Sequence, residues 1–343
     1  MSPTSTLSIS NPLLQELGSV ARAKGVDVYV VGGYVRDALL KRERTDIDCT
    51  VVGDALAFAE AVASHFNTKA VLYERFRTAL VPVGEYHLEF VGTRKEEYDG
   101  TSRKPTVTEG TLTDDLRRRD FTVNAMAASL TNGEMPGIID LFGGLGDLAE
   151  GILRTPLDPA VTFSDDPLRM LRAARFAAQL GFSIQSDALQ AMSSMSSRIA
   201  IISQERITAE LLKILASPKP SIGLSILHEC GLLHHFFPLL EQLSGVDLAH
   251  DKNRVYQHKD VFIHTLHVVD NVAAVCDNLW LRFAALMHDI AKPKTKRFSP
   301  GIGWSFHGHD EVGARMQKGI FQSLKLPMEH LPYVEMLVRL HHR

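Results

Sequence analysis

Asp46 and Asp48, separated by Ile47, place two carboxylates shortly after the run Val30-Val31-Gly32-Gly33-Tyr34-Val35-Arg36-Asp37. On a strand, side chains alternate between faces, so both acids point one way while Ile47 and Cys49 point the other way, toward a core. Paired oxygen donors on one rigid face suit magnesium, which binds through one or two carboxylates and completes its shell with substrate phosphates. The chemistry favoured by such a pair is phosphoryl or nucleotidyl transfer. Glu89, on a second strand, is either a third carboxylate of that site or an ordinary surface acid.

The elements that must position these acids are legible on either side of them. Residues 28–31 read as a buried strand, Gly32-Gly33 as a sharp turn free of Cβ atoms, and residues 35–40 as a helix start whose exposed amides can take a triphosphate. Arg36 stands where it can add a bidentate phosphate contact. A double glycine alone is an ordinary turn, and Asp-x-Asp alone an ordinary solvated edge. Strand, double glycine, helix and acidic strand in that order point to a nucleotide site.

Two later segments add candidates. Residues 116–128 begin with three adjacent arginines and read as a helix, on which Arg119, Asp120 and Asn124 fall together as sugar and phosphate contacts. The plainer meaning is a basic helix start ahead of a packed helix. Residues 163–178 place acids and Pro167 ahead of a helix that carries Arg169, Arg172 and Arg175. Asp166 and Arg169, three apart, are neighbours. Cytosine and adenine each present an amine donor beside a ring-nitrogen acceptor, which matches a carboxylate and a guanidinium, whereas uracil and guanine carry the opposite polarity. This pair therefore either reads a base edge, penalising U and G through unpaired buried groups, or serves as a cap and local ion pair.

A chain of 343 residues exceeds what one core serves, and 45% hydrophobic with 22% charged residues is an ordinary globular composition. No stretch has the apolar length of a membrane span and residues 1–11 lack the pattern of a signal peptide, so a cytoplasmic location is expected. Cys49, Cys230 and Cys276 form no paired motif and read as reduced core residues. With a net charge of -3, any polynucleotide must be held by a local basic surface. Helix at 55–65 and strands at 78–83 and 87–91 give the first half an α/β pattern, with a polar surface loop at 94–115. Beyond Asp165 strand signals nearly vanish; helices are predicted at 168–179, 188–195, 204–215 and 223–229, with Ser203 as an N-cap.

The segments Val31 to Asp37, Asp46-Ile47-Asp48, Arg118-Arg119-Asp120-Phe121-Thr122-Val123-Asn124-Ala125, Asp165-Asp166-Pro167-Leu168-Arg169-Met170-Leu171-Arg172 and Glu205-Arg206-Ile207-Thr208-Ala209-Glu210-Leu211 resemble, in order, the motifs of bacterial class II tRNA nucleotidyltransferases and their poly(A) polymerase relatives. The resemblance implies an α+β fold: a polymerase-β-like head with a mixed sheet over 1–150, an all-α neck over 151–217, and a helical body with an HD-type region over 218–343. It implies two Mg2+ ions on Asp46 and Asp48. Gly32, Gly33 and Arg36 would hold the triphosphate, and Arg119, Asp120 and Asn124 the sugar. Asp166 and Arg169 would read the base, with Arg172 and Arg175 in the same nucleotide-binding set. Substrates would be CTP, ATP and the tRNA acceptor end, with CCA addition expected, poly(A), CC-only or A-only addition as alternatives, and a metal-dependent phosphohydrolase of the HD type as a second alternative. Family members usually carry Glu-Asp where this chain has Asp165-Asp166.

His264, His288-Asp289, His307, His309 and Asp310 resemble the metal-dependent phosphohydrolase domain named for its His-Asp pair, which is fused to some of these enzymes. Its imidazole and carboxylate donors make His264, His288 and Asp289 a candidate site for another divalent metal, with Lys292, Lys294, Lys296 and Arg297 as a basic patch beside it. The plainer meaning is chance clustering among 15 histidines, with His341-His342 at the surface. The chain stops at Arg343 inside a predicted helix; the resemblance leads one to expect a truncated form, with the superfamily's last acid ligand beyond that point. No motif speaks to oligomeric state.

Overall fold

Alternating burial at residues 27–31, 46–52 and 86–92 creates the strands that carry the acids. In the structure, a computed structural model describing residues 11–97, 106–133, 137–251 and 254–342, these are β1 (Asp27–Val31), β2 (Asp46–Val52) and, after β3 (Val71–Tyr73) and β4 (Thr78–Val83), β5 (Tyr86–Gly92). Then follow β6 (Arg94–Glu97), β7 (Thr106–Glu109), β8 (Met126–Ser129) and β9 (Ile138–Asp140). Seven of them form one mixed sheet in the order β3-β4-β5-β2-β1-β8-β9. β2 and β5 pair in parallel, and their register sets Asp46 beside His87 and Asp48 beside Glu89.

The helices of this first unit, residues 1–165, are α1 (Pro12–Lys24), α2 (Gly33–Leu39), α3 (Ala55–His65), α4 (Leu112–Arg117), α5 (Gly144–Glu150) and α6 (Pro159–Asp165). Val30, Ile47, Cys49, Val51, Leu88 and Phe90 bury one face of the sheet against Leu14 and Leu17 of α1 and Phe58 and Val62 of α3. Each such side chain contributes about 1.5–3 kcal/mol. Because Ile47 and Cys49 take that face, Asp46 and Asp48 are held on the opposite one, where a smaller cluster of Val31, Leu116 and Ala127 packs. Cys49 and Cys230 are buried free thiols and Cys276 is half-buried.

The second unit, residues 166–343, is built of α7 (Leu168–Leu180), α8 (Ser186–Ser194), α9 (Gln204–Leu215), α10 (Pro220–Glu229), α11 (Leu232–Phe236), α12 (Pro238–Glu241), α13 (Val261–Val275), α14 (Leu279–Met287), α15 (Lys292–Thr295), α16 (His309–Ser323) and α17 (Leu331–Leu340). Arg282, only 3% exposed, locks several of them together. Its guanidinium donates to the carbonyls of Leu215, Ser217, Ala273 and Cys276, satisfying the ends of α9 and α13 with one charge. Ser203 does precede α9, but its side chain makes no capping hydrogen bond.

Three expectations are corrected. Residues 116–128 are not one helix: α4 ends at Arg117, and a turn and a single 3₁₀ turn over Thr122–Asn124 lead into β8. Here tertiary pairing wins, since β8 completes the sheet beside β1. The polar stretch 94–115 is not all loop, because β6 and β7 pair in antiparallel register and α4 starts within it; residues 98–105 lie outside the described residues. Strand does recur after Asp165, as the short hairpins Leu248–Asp251 with Arg254–Gln257 and Arg297–Ser299 with Gly303–Ser305.

Candidate functional site

Asp46 opens β2 with a side chain 67% exposed, and His87 Nδ1 lies 3.6 Å from its Oδ1. Asp48 is half-buried and Glu89, its cross-strand neighbour, is exposed. Side chains in register on adjacent strands share a face, so the three carboxylates stand on one surface of the sheet. The donors are oxygens alone, as a hard cation requires.

Beside them, Gly32 adopts φ 65 and ψ -125, a backbone shape that L side chains rarely take. Its amide donates to Met126 O at 3.0 Å, and a Cβ there would meet Arg119 Nη1 at 2.6 Å. At Gly33 a Cβ would meet Arg44 Nη1 at 2.1 Å. Both glycines therefore make room for a guanidinium. α2 spans only seven residues, so its dipole is short and the neighbouring cations matter more.

Arg36 is placed otherwise than its spacing suggested. It is 5% exposed and turned inward. Nε and Nη2 each donate to Asp37 at 2.8 Å, and Nη1 donates to Asn124 Oδ1 at 2.6 Å. Burial lowers its pKa, with Asp37 acting against that effect. Asn124 in turn donates from Nδ2 to Asp120 Oδ1 at 3.0 Å, which also accepts from Phe121 N at 2.9 Å. Asp120 and Asn124 thus meet as expected, through a tight turn rather than along a helix.

Two groups that sequence reasoning missed complete the frame. Arg44, half-exposed, donates from Nε to Asp46 O at 2.9 Å and from Nη1 to Asp37 Oδ2 at 3.1 Å, tying the acidic strand to the glycine turn. Asp115, fully buried, accepts from Thr50 Oγ1 and Arg119 Nη2, each at 3.1 Å, and pairs with Arg118. Burial pushes the Asp115 carboxyl up, but Arg119 and Arg118 outweigh it and hold it below the usual range. Asp115 thereby fixes the two arginines, of which 23% and 19% of the side-chain surface is exposed. The only sequence signal for these roles was that a charged residue lies within two or three positions of a motif.

In the second unit, Asp166 stands just before α7 and its Oδ1 accepts from Leu168 N at 3.2 Å. Arg169, Arg172 and Arg175 recur every third residue as half-buried positions on a helix otherwise largely buried. Two ion pairs brace this helix against α9: Arg206 to Asp166 at 3.0 Å and Arg175 to Glu210 at 2.7 Å. Those pairs give the Glu205 to Leu211 segment its purpose. Arg175 also lies over the Phe176 ring at 4.1 Å.

The histidines converge as well. His264 from α13 and His288-Asp289 after α14 bring one ligand atom each within 4.8 Å of one another. His309 opens α16, and His341 and His342 follow α17 as a second such group. His341 and His342 are thus not merely surface residues, whereas His307 is exposed and outside both groups. Burial pushes Asp289 up, but His288, His309 and Lys292 overcome it and hold the carboxyl far below the usual range. Burial also lowers His264 and His341, favouring the neutral imidazole that ligates metals.

Comparison with known proteins gives three matched families. Residues 28–154 match the poly A polymerase head domain, residues 181–243 the probable RNA and SrmB- binding site of polymerase A, and residues 261–343 the HD domain. The chain is 34% identical over 323 residues to a multifunctional CCA protein of Nitrosococcus oceani, an alignment covering 92% of this chain and 74% of that protein. Among solved structures it resembles a tRNA-processing enzyme with a TM-score of 0.68 at 24% identity, over 96% of this chain and 77% of the other. It also resembles a tRNA nucleotidyltransferase complexed with a primer tRNA and an incoming ATP analog, with a TM-score of 0.66 at 24% identity over 94% and 83% of the two chains.

Proposed function

This chain belongs to the CCA-adding tRNA nucleotidyltransferase family, and from that premise we propose that it adds C and A to the 3′ end of tRNA, taking CTP and ATP as substrates. The observation that carries the reading is the shared face of Asp46, Asp48 and Glu89 beside the Gly32-Gly33 turn. Asp46 and Asp48 would hold Mg2+, as two ions, with Glu89 as a third oxygen donor. Bound magnesium supplies charge stabilisation to the pyrophosphate leaving group and acidity to the attacking 3′-hydroxyl. Arg119 and Arg44, placed over the glycines, take the triphosphate and sugar side of the nucleotide, while Arg36, Asp120 and Asn124 keep that frame rigid. Asp166 and Arg169 read the base edge, with Arg172 beside them and Arg175 bracing the helix. The division into head 1–150, neck 151–217 and helical body with an HD-type region 218–343 assigns catalysis to the first part. The acceptor arm falls to the helical parts, through phosphates and shape.

The test is primer extension with Mg2+, each labelled nucleotide in turn, and tRNA ending without CCA, without CA or without A. Addition of two C residues and one A is expected. Long A tracts on unrelated RNA would instead make it a poly(A) polymerase, and phosphate release without primer growth would contradict transfer.

A second activity is favoured by the histidine cluster. Among the described residues, His341 Nε2 is buried without a hydrogen-bond partner, which is a cost unless a cation satisfies it. The donor set of His264, His288 and Asp289 fits a divalent metal such as Mn2+. When bound, it lowers the pKa of a water for attack on a phosphate ester. Phosphate release from a simple phosphomonoester is expected to vanish in Asp289→Asn and to persist in Asp46→Ala. Equal release from both variants would sink this second reading.

A further inference from the structure

His228, Glu241 and Ser244 meet within the second unit, and neither proposed reaction uses them. His228 lies in the last turn of α10, Glu241 ends α12, and Ser244 follows three residues later. His228 Nδ1 is 2.9 Å from Glu241 Oε2, and His228 Nε2 is 3.2 Å from Ser244 Oγ. A carboxylate can only accept, so in the neutral ring the proton sits on Nδ1 and the lone pair on Nε2 accepts from the Ser244 hydroxyl. Acid, imidazole and hydroxyl in that line are the arrangement that makes a serine nucleophilic.

The surroundings hold the line in place. Ser244 N donates to Glu241 O at 3.1 Å, and Phe262 N donates to Leu243 O at 3.0 Å, which pins this turn to α13. The Phe262 ring, 1% exposed, packs against the imidazole with centroids 4.7 Å apart. The side chains of His228 and Glu241 each keep 27% of their surface exposed, and Ser244 is half-buried, so a small solute can reach the hydroxyl. The amide next after the serine is engaged elsewhere: Gly245 N donates to Asp260 Oδ2 at 2.7 Å. That amide and Ser244 N are therefore both taken, and neither stands ready to stabilise an oxyanion.

We infer that Ser244 is an activated serine that accepts a small acyl group from an activated ester or thioester. In the step, Ser244 Oγ attacks the carbonyl carbon and its proton passes to His228 Nε2. The bond from that carbon to the leaving oxygen or sulfur breaks, and the leaving group takes the proton from His228. The products are an acyl ester on Ser244 and a free alcohol, phenol or thiol. A good leaving group needs less help from an oxyanion donor than the alkyl ester left on the serine, so the acyl group goes on faster than it comes off. The site is thus one of covalent modification rather than of rapid hydrolysis, and it is independent of the transferase reading.

The experiment treats the full chain with p-nitrophenyl acetate, follows the release of p-nitrophenolate, and maps the acetyl group by peptide mass spectrometry. A burst of about one equivalent followed by slow turnover is expected, the kinetic sign of an accumulating acyl-enzyme, with the acetyl group on Ser244. Ser244→Ala should abolish the burst. It removes only an oxygen from a half-buried side chain, so the melting temperature should stay in place and a lost burst is not unfolding. His228→Gln should slow acylation by about 100-fold, the contribution of a general base, and Glu241→Gln by at least about 10-fold, since the ring then loses its orienting charge. No burst, acetyl groups spread over lysines, or a burst that survives Ser244→Ala or His228→Gln overturns the proposal. Primer extension by the same preparation tests the transferase reading separately.

Discussion

Asp46→Ala and Asp48→Ala are each expected to cut nucleotide transfer by at least about 10⁴-fold, equivalent to roughly 5 kcal/mol of lost transition-state stabilisation. The size follows from the proposed role of the acids: they would hold the Mg2+ whose charge offsets the developing pyrophosphate, a role that water cannot take over. Little of the fold depends on them. Asp46 is 67% exposed and its side chain lies 3.6 Å from His87, a surface contact worth at most about 1 kcal/mol. tRNA binding, measured by filter retention or fluorescence anisotropy, should therefore stay within a few-fold, and the melting temperature should hardly move. A loss of transfer accompanied by equal losses of RNA binding or folding would show that the acids are structural.

Arg169→Ala carries the second-largest expected effect, on choice of base rather than on rate alone. In the proposed reading the guanidinium is the donor to the ring nitrogen of C and A, so without it the penalty against U and G should shrink by about 10- to 100-fold in the ratio of kcat/KM values. Asp166 also caps α7 through Leu168 N and pairs with Arg206, so its loss would mix base choice with the position of the helix. kcat/KM for each of the four nucleoside triphosphates, with primers ending before and after the second C, gives the ratio directly. Unchanged ratios would move base selection elsewhere.

Local pattern carried much of the fold. Helices at 55–65 and 204–215 and the strand at 78–83 lie where their periodicity puts them, because their apolar faces and their local propensities agree. The acids were legible for the same reason, since strand alternation alone aims Asp46 and Asp48 together once Ile47 and Cys49 are buried.

What local pattern did not show is long-range. Residues 116–128 carry a helical spacing, yet pairing with β1 pulls their second half into a strand, and the tight turn then brings Asn124 back to Asp120 and Arg36. Arg36 turns inward because Asp37 and Asn124, the latter far away in sequence, together fill its fork. Arg44 and Asp115 act through partners that only the folded sheet supplies. The histidine cluster shows the same limit: His288-Asp289 and His309 were visible, but His341 and His342 join His309 as candidate ligands only when the end of α17 meets the start of α16.

The most direct measurement is a crystal of the full chain soaked with Mn2+ and a non-hydrolysable CTP analogue, with the metal located by anomalous scattering. The account predicts anomalous peaks within bonding distance of both Asp46 and Asp48, and a triphosphate running over the Gly32-Gly33 turn toward Arg119 and Arg44. Phosphates bound away from that turn, or metal found only among the histidines, would contradict it.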